Sequence, residues 1–139
     1  MTSKADRKPT MRLVSEALPE KRSILVVEDD DVALDLLAEI LRRHHFQVWT
    51  ASSVASALEF LEKRPVDLVL SDIRMPERGG MDLLKQIREN QSRIPVVLLS
   101  AFGDEHLWVE ALSAGAVDLI PKPFKKQEII DVINKTLAG

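Results

Sequence analysis

Five polar side chains that could act on a phosphoryl group follow short apolar runs of the chain. Glu28 and Asp29 come directly after the first run, and Asp72, Ser100 and Lys122 follow later ones. Two carboxylates about 4 Å apart repel by roughly 4 kcal/mol at an effective dielectric of about 20, so a fold that gathers such acids needs a cation. Carboxylate oxygens with room for water and phosphate suit Mg²⁺. These residue types predict a carboxylate that attacks phosphorus and forms an aspartyl phosphate.

The elements that must position these residues are visible in the hydrophobic pattern, which alternates between apolar runs and helical stripes. The predicted strands cover residues 24–27, 47–51, 68–70, 95–99 and 117–120. Asp31 is the predicted N-cap of the first helix. Successive strand and helix units predict one parallel sheet with helices on both faces. The first, third and fourth runs are wholly apolar and should be central. The predicted fold is therefore α/β, a flavodoxin-like (βα)5 doubly wound sandwich with a five-stranded parallel sheet in the order 2-1-3-4-5.

Ligands of such sheets bind beyond the carboxyl ends of the strands, where the polar residues collect. Asp72 is the predicted phosphoacceptor because it lies mid-edge, after the third strand. Lys122 is expected to neutralise one phosphoryl oxygen and Ser100 to hydrogen-bond to another. The predicted Mg²⁺ ligands are the carboxylates of Glu28, Asp29 and Asp72 and the backbone carbonyl of Arg74. Each residue alone also fits a plainer role, as a loop acid, turn residue, helix cap or surface lysine. Their joint placement at four strand ends argues against those roles.

Composition limits the classes of protein to which the chain can belong. Its 139 residues fit one domain, and 45% are hydrophobic and 29% charged. The absence of cysteine excludes disulfides, thiolate metal sites and a cysteine nucleophile. The net charge of −3 gives no overall attraction to nucleic acid or to anionic membranes. No apolar run reaches the length of a membrane span and no signal peptide is recognisable, so we expect a cytoplasmic protein without direct nucleic-acid or membrane partners.

Residues 1–22 differ in composition from the rest, since they are polar, basic and contain two prolines. We interpret them as an N-terminal tail and residues 23–139 as the folded domain. Residues 11–18 are weakly amphipathic, so the pattern leaves open a disordered extension or a short docking helix. Since the sequence ends two residues after Leu137, we expect no DNA-binding output domain within it. We therefore expect either a stand-alone protein or a part of a larger transcriptional regulator or hybrid kinase.

Four sequence motifs fit one known family. They are ILVVEDD at residues 24–30, SDIRMP at 71–76 with Gly80, LSA at 99–101 and KPF at 122–124. With these motifs in this order, the chain resembles response-regulator receiver domains of two-component signal transduction, of the chemotaxis-regulator type. The resemblance extends over residues 23–137. No single motif is specific, but the ordered set is.

The resemblance implies a role for each site residue. Glu28 and Asp29 are the implied acidic pair with Asp29 as a direct Mg²⁺ ligand, Asp72 the phosphoacceptor, Ser100 the switch hydroxyl and Lys122 the phosphate-binding lysine. It implies a cis peptide bond before Pro123. The implied phosphodonor is a histidine kinase or phosphotransfer protein, and the protein is not an enzyme beyond its own phosphorylation and slow dephosphorylation. Output is expected through the surface of the fourth helix, fifth strand and fifth helix to an unidentified protein. A homodimer formed on phosphorylation is left open.

Two positions bear on how the state of the site is transmitted and how long it lasts. Three residues before the lysine, the family usually carries Phe or Tyr, and this chain has Leu119. A leucine can follow Ser100 inward with a smaller change of volume, which predicts a weakened or rewired switch. Arg74 and Phe102 should flank the approach of hydrolytic water, and a bulky Phe102 is expected to slow the loss of the phosphoryl group.

Other functions fit the pattern less well. A phosphohydrolase with an aspartate nucleophile usually has a second Asp two residues later, and this position is Arg74. A nucleotide-binding protein or a flavodoxin needs a phosphate-binding loop after the first strand, where this chain is acidic. A phosphorylation-independent interaction scaffold of the same fold is the serious alternative. Mg²⁺-dependent labelling distinguishes it from a phosphoacceptor.

Overall fold

The computed structural model describes residues 21–139, which form five strands alternating with five helices. The strands are β1 (Ser23–Val27), β2 (Gln47–Ala51), β3 (Leu68–Asp72), β4 (Val96–Ser100) and β5 (Asp118–Pro121). The helices are α1 (Asp31–Arg43), α2 (Val54–Lys63), α3 (Gly80–Glu89), α4 (Trp108–Ser113) and α5 (Lys126–Ala138), and a 3-10 turn (Glu105–Leu107) precedes α4. The predicted tail lies almost wholly outside the described residues. Within residues 21–139, no helix is long and apolar enough to cross a membrane.

The five strands form one parallel sheet in the order β2-β1-β3-β4-β5, which confirms the predicted topology. Every residue of β3 and β4 is buried, because helices cover both faces of these central strands. Only two residues of β2, Val48 and Ala51, are buried, as expected of an edge strand. The strand order was predicted from this difference, since the wholly apolar strands were expected at the centre and the more polar ones at the edges.

Two apolar layers lie on opposite faces of the sheet, because successive residues of each strand point to opposite sides. Ile24 and Val26 of β1 pack with α1 and α5, whereas Leu25 and Val27 pack with α2, α3 and Ala111 of α4. Burial of a Leu, Ile or Val side chain contributes about 1.5–3 kcal/mol. The sheet is therefore rigidly held from both sides, which fixes the positions of the loops at its carboxyl edge.

The boundaries of the elements differ from the prediction by one or two residues. Asp30 and not Asp31 is the N-cap of α1, since the Asp30 carboxylate accepts hydrogen bonds from the backbone N–H groups of Val32 and Ala33. Asp31 lies in the first turn, where a negative charge suits the helix dipole. Strand β3 continues two residues beyond its apolar run, to Asp72, and β4 one residue, to Ser100, because these polar residues still pair with the neighbouring strands.

Candidate functional site

The carboxyl ends of four strands carry the predicted site residues to one edge of the sheet. Asp72 is the last residue of β3 and Ser100 the last of β4. Glu28 directly follows β1, and Lys122 directly follows β5. The backbone N–H of Lys122 donates to the carbonyl of Ser100 at 2.7 Å, so these two residues are neighbours across the sheet edge. A cis peptide bond joins Lys122 to Pro123, as the resemblance implied.

The carboxylate of Asp72 is held at both of its oxygens. The Lys122 ammonium donates to Oδ2 at 2.9 Å, and the backbone N–H of Arg74 donates to Oδ1 at 3.3 Å. Asp72 is mostly buried, whereas Lys122 is about one-third exposed. The carboxylate therefore has a fixed orientation, and an approaching anion can reach the ammonium beside it.

Glu28 places a second acid beside the first. Its side chain is buried, and burial raises the pKa of Glu28 to about 7. The nearby Asp72 contributes to this rise, whereas the hydrogen bond from the Asp30 N–H at 3.0 Å and the Lys122 ammonium at 3.8 Å oppose it, and about 7 is the net result. The Lys122 ammonium is thus the shared cationic partner of the Glu28 and Asp72 carboxylates. The site has an excess of negative charge that a divalent cation would neutralise.

Asp29 differs from the other two acids, since its side chain is exposed to solvent. Within residues 21–139, no three His, Cys, Asp or Glu side chains are close enough together to hold a metal ion. The expected convergence of Glu28, Asp29 and Asp72 is therefore not formed in this conformation. The metal role of Asp29 stays a prediction.

Ser100 contributes a hydroxyl whose hydrogen-bonding capacity is unused. The residue is fully buried, and its Oγ has no hydrogen-bond partner among the described residues. A buried polar group without a partner costs about 1–3 kcal/mol. A hydroxyl left in this state at the sheet edge suits a ligand oxygen supplied from outside the chain.

Asp104 is a site residue that the sequence did not reveal. It is fully buried, its Oδ2 accepts the backbone N–H of Ala101 at 2.7 Å, and its Oδ1 forms an ion pair with the Arg74 guanidinium. Burial alone would raise the pKa of Asp104, but these two donors outweigh it and hold the pKa below its usual range. In the sequence, a lone Asp before a helical stretch indicates only a helix cap. Arg74 was predicted for its backbone carbonyl, and its side chain has this second contact.

Leu119 and Phe102 differ in their surroundings. Leu119 is half-buried and packs against the apolar layer that contains Val69 and Leu98. Phe102 is 96% exposed, so in this conformation its ring lies in solvent. Its predicted effect on the approach of water stays a prediction.

Comparisons with known proteins agree with this geometry. Residues 24–134 match the family described as the response regulator receiver domain. The chemotaxis protein CheY of Bacillus subtilis (strain 168) is 36% identical over 115 residues, which are 82% of this chain and 96% of CheY. The crystal structure of the receiver domain of NtrX from Brucella abortus superposes with a TM-score of 0.79 at 36% identity, covering 83% of this chain and 98% of that one.

Some relatives are longer than the matched region. The response regulator protein TodT of Pseudomonas putida is 32% identical over 114 residues, which are 82% of this chain and 50% of TodT. The chain thus spans about half the length of this curated relative. The similarity concerns the matched domain.

Proposed function

Because the chain belongs to the response-regulator receiver domain family, a regulatory family, we propose that it accepts a phosphoryl group on Asp72 from a histidine kinase or a phosphotransfer protein. One observation carries the proposal. The Asp72 carboxylate is oriented by the Lys122 ammonium and the Arg74 amide, and the unpartnered hydroxyl of Ser100 lies at the neighbouring strand end. These groups are an acceptor and the donors that a phosphoryl group needs.

The transfer follows from the positions of these groups. An oxygen of Asp72 forms a bond to phosphorus while the bond from phosphorus to the donor nitrogen breaks, and the imidazole leaves with that electron pair. The Lys122 ammonium, 2.9 Å from Asp72 Oδ2, follows the negative charge from the carboxylate to a phosphoryl oxygen. The Ser100 hydroxyl donates to a second phosphoryl oxygen and gains the partner that it lacks. Phosphoryl transfer needs mainly this positioning and charge neutralisation.

The donor set fits Mg²⁺, which is part of the proposal. Glu28 and Asp72 supply hard oxygen ligands, and Asp29 and the backbone carbonyl of Arg74 lie on the loops beside them. Mg²⁺ usually binds through one or two carboxylates and keeps several waters, so a preformed cluster of three acids is not required. Bound Mg²⁺ supplies positive charge to the phosphoryl oxygens in the transition state.

The first test is labelling of the purified chain with acetyl phosphate, followed by intact-mass measurement with Mg²⁺ or with EDTA. We expect the gain of one phosphoryl mass only when Mg²⁺ is present. Peptide mapping after borohydride reduction of the acyl phosphate should identify residue 72. A chain that gains no mass from acetyl phosphate and accepts none from any histidine kinase phosphodonor offered would refute the proposal.

Replacement of Glu28 by glutamine should have opposite effects on the metal-free and the Mg²⁺-bound protein. Glutamine has a similar shape but no charge, so it removes the cost of burying an anion beside Asp72. At a pH where Glu28 is ionised, we expect the free energy of unfolding without metal to rise by about 1 kcal/mol. The stabilisation of the wild-type chain by Mg²⁺, about 2.7 kcal/mol at 100 times the dissociation constant, should largely disappear.

Urea unfolding with and without Mg²⁺ measures both effects. Glu59→Gln, at an exposed position of α2, is the matched control and should change neither. Equal stabilisation of Glu28→Gln and wild type by Mg²⁺ would contradict a metal role for Glu28.

A phosphorylation-independent interaction scaffold is the second candidate, favoured by one observation. Leu119 takes the place of the usual aromatic residue, and Val109, Leu112 and Val117 expose apolar surface nearby in α4 and before β5. Under the main proposal this same surface, with α5, is where the phosphorylated site acts on a downstream protein. If the wild-type chain binds its partner equally well with and without the label, the scaffold is correct.

The remaining parts of the proposal concern the setting of the domain. We assign residues 23–139 to the receiver domain and residues 1–22 to a tail. We propose a cytoplasmic location, where a histidine kinase can supply the phosphoryl group, and binding to a protein and not directly to nucleic acid. Whether phosphorylation causes homodimer formation can be measured by sedimentation of the labelled chain.

A further inference from the structure

We propose that Asp104 is a positioning residue of the phosphoacceptor site, which it controls through Arg74 and Ala101, and that it links the site to the start of α4. The proposal rests on the function proposed above for Asp72. The side chain of Asp104 forms hydrogen bonds to Arg74 and Ala101 and none to Asp72 or Ser100, so its action is indirect.

The contacts of the carboxylate are the first argument. Asp104 is 0% exposed, and each of its oxygens has one partner: Oδ1 the Arg74 guanidinium and Oδ2 the N–H of Ala101. A buried charge is strongly destabilising when its partner is removed. Arg74 is 62% exposed at its side chain, so this pair lies at the border between the interior and solvent.

These contacts join the two loops that bear the reactive groups. The backbone N–H of Arg74 donates to Asp72 at 3.3 Å, and Ala101 directly follows Ser100. The carboxylate of Asp104 therefore connects the loop after β3 with the loop after β4. We call this arrangement of Arg74, Ala101 and Asp104 the clasp. While the clasp is closed, the Arg74 guanidinium is paired with an internal anion.

A simple capping role does not explain Asp104. It precedes the 3-10 turn Glu105–Leu107, yet its side chain makes no capping hydrogen bond to that turn. Its carboxylate is directed back to the loop after β4 and to Arg74. Asp104 therefore stands where a helix cap is expected in the sequence, but its side chain connects two loops.

The backbone of Asp104 extends the link to α4. Its carbonyl accepts the N–H of Leu107 at 2.8 Å, and its N–H donates to the carbonyl of Ala101 at 3.1 Å. A displacement of Asp104 therefore moves the turn that leads to Trp108, the first residue of α4. With only a leucine at position 119, this route offers a way for the site to act on α4 without a large inward movement of an aromatic ring.

A phosphoryl group on Asp72 would open the clasp by competition. It adds about −1.5 to −2 charges beside the backbone of Arg74, and its oxygens are strong acceptors for a guanidinium. Arg74 then has two anionic partners, and its bond to Asp104 weakens. The clasp opposes phosphorylation in the free state and is released by it.

The test uses three variants of the whole chain. Asp104→Asn keeps the shape of the side chain and an acceptor for the Ala101 N–H but removes the ion pair with Arg74. Arg74→Gln removes the same ion pair by replacing its exposed member. The double variant replaces both members. Glu105→Gln is the matched control, because the carboxylate of this exposed neighbour accepts the N–H of Gly103 at 3.1 Å, whereas the ion pair of Arg74 is with Asp104. The rate of labelling by acetyl phosphate and the half-life of the label are measured for each.

The second readout is ¹⁹F NMR of chains that contain 5-fluorotryptophan. Trp108 reports on the start of α4, and Trp49, which lies in the edge strand β2 beneath Arg64, is the internal reference. We expect the unlabelled Asp104→Asn and Arg74→Gln chains to shift the Trp108 signal toward its position in labelled wild type, and to leave the Trp49 signal unchanged. This readout needs no phosphorylation of the variants.

Because the closed clasp opposes phosphorylation, we expect each single variant to raise the labelling rate by about threefold or more, and the double variant to add nothing further, since both members act through one interaction. An unchanged or lowered rate in the single variants would count against the proposal. Glu105→Gln should behave as wild type. Additive effects of the two substitutions, or an unmoved Trp108 signal in unlabelled Arg74→Gln, would overturn the proposal. If Asp104→Asn fails to fold, Arg74→Gln, at an exposed position, still tests whether the ion pair affects labelling and the Trp108 signal. A wild-type chain that takes no label refutes the function of Asp72, whereas a Trp108 shift of the unlabelled variants away from unlabelled wild type tests the clasp separately.

Discussion

Replacement of Asp72 by asparagine is expected to abolish labelling by acetyl phosphate, with a fall in rate of at least about a thousandfold. The amide keeps the size of the side chain but is a poor nucleophile toward phosphorus, and no other described acid is held by both Lys122 and a backbone N–H of the loop after β3. Intact-mass measurement in Mg²⁺ gives the result directly. Asp35→Asn, on an exposed position of α1, is the matched control and should label as wild type.

The same substitution should leave the fold intact, which makes the loss of labelling interpretable. Asparagine can still accept from the Arg74 N–H, and Lys122 keeps Glu28 as a partner 3.8 Å away. Removal of one of two neighbouring carboxylates also relieves their repulsion. We therefore expect the free energy of unfolding to stay within about 1 kcal/mol of wild type or to rise. A labelled Asp72→Asn chain would place the nucleophile elsewhere, with Asp29 and Asp30 as the residues to examine.

The fold was predictable because its strongest signal is local. Short, wholly apolar, β-branched runs favour strands covered on both faces, and helical stripes between them leave few arrangements of a parallel sheet. The residues that follow those runs, such as Asp72 and Lys122, then necessarily meet at one edge. This part of the site is a consequence of topology, so it needs no knowledge of side-chain conformation.

Other parts of the structure depend on side-chain contacts that no local pattern encodes. Asp104 and Arg74 are 30 residues apart, and each alone has an ordinary interpretation as a cap or a surface cation. Arg88 is a similar case, since its guanidinium donates to the carbonyls of Ile94 and Gly115 at 2.8 Å. The acidic motif is a further case, because it does not reveal which of its members is buried, and here Glu28 is buried and Asp29 exposed. The sequence likewise did not distinguish Asp30 from Asp31 as the N-cap of α1, because the choice depends on which side chain accepts the backbone N–H groups.

The second large effect concerns Gly80, the first residue of α3, which lies against the backbone of the phosphoacceptor. A Cβ at this position would be 2.5 Å from the carbonyl oxygen of Asp72 and 2.9 Å from Cδ2 of Leu98. The Asp72 carbonyl already accepts the Ser71 hydroxyl at 3.0 Å, and Leu98 is fully buried, so neither neighbour can easily move away. The close approach of α3 to β3 therefore requires glycine here for reasons of space.

We expect Gly80→Ala to lower the free energy of unfolding by about 2–4 kcal/mol and to slow labelling of Asp72, because α3 and the end of β3 must separate. The sign of the effect is decisive, since helix propensity alone would favour alanine by up to about 1 kcal/mol. Urea unfolding measures the loss, and Gly139→Ala is the control, because its nearest neighbour would be the Lys135 carbonyl at 3.6 Å. A Gly80→Ala chain as stable as wild type would mean that the end of β3 can shift freely. In that case, the orientation of Asp72 could not depend on the packing of α3 against it.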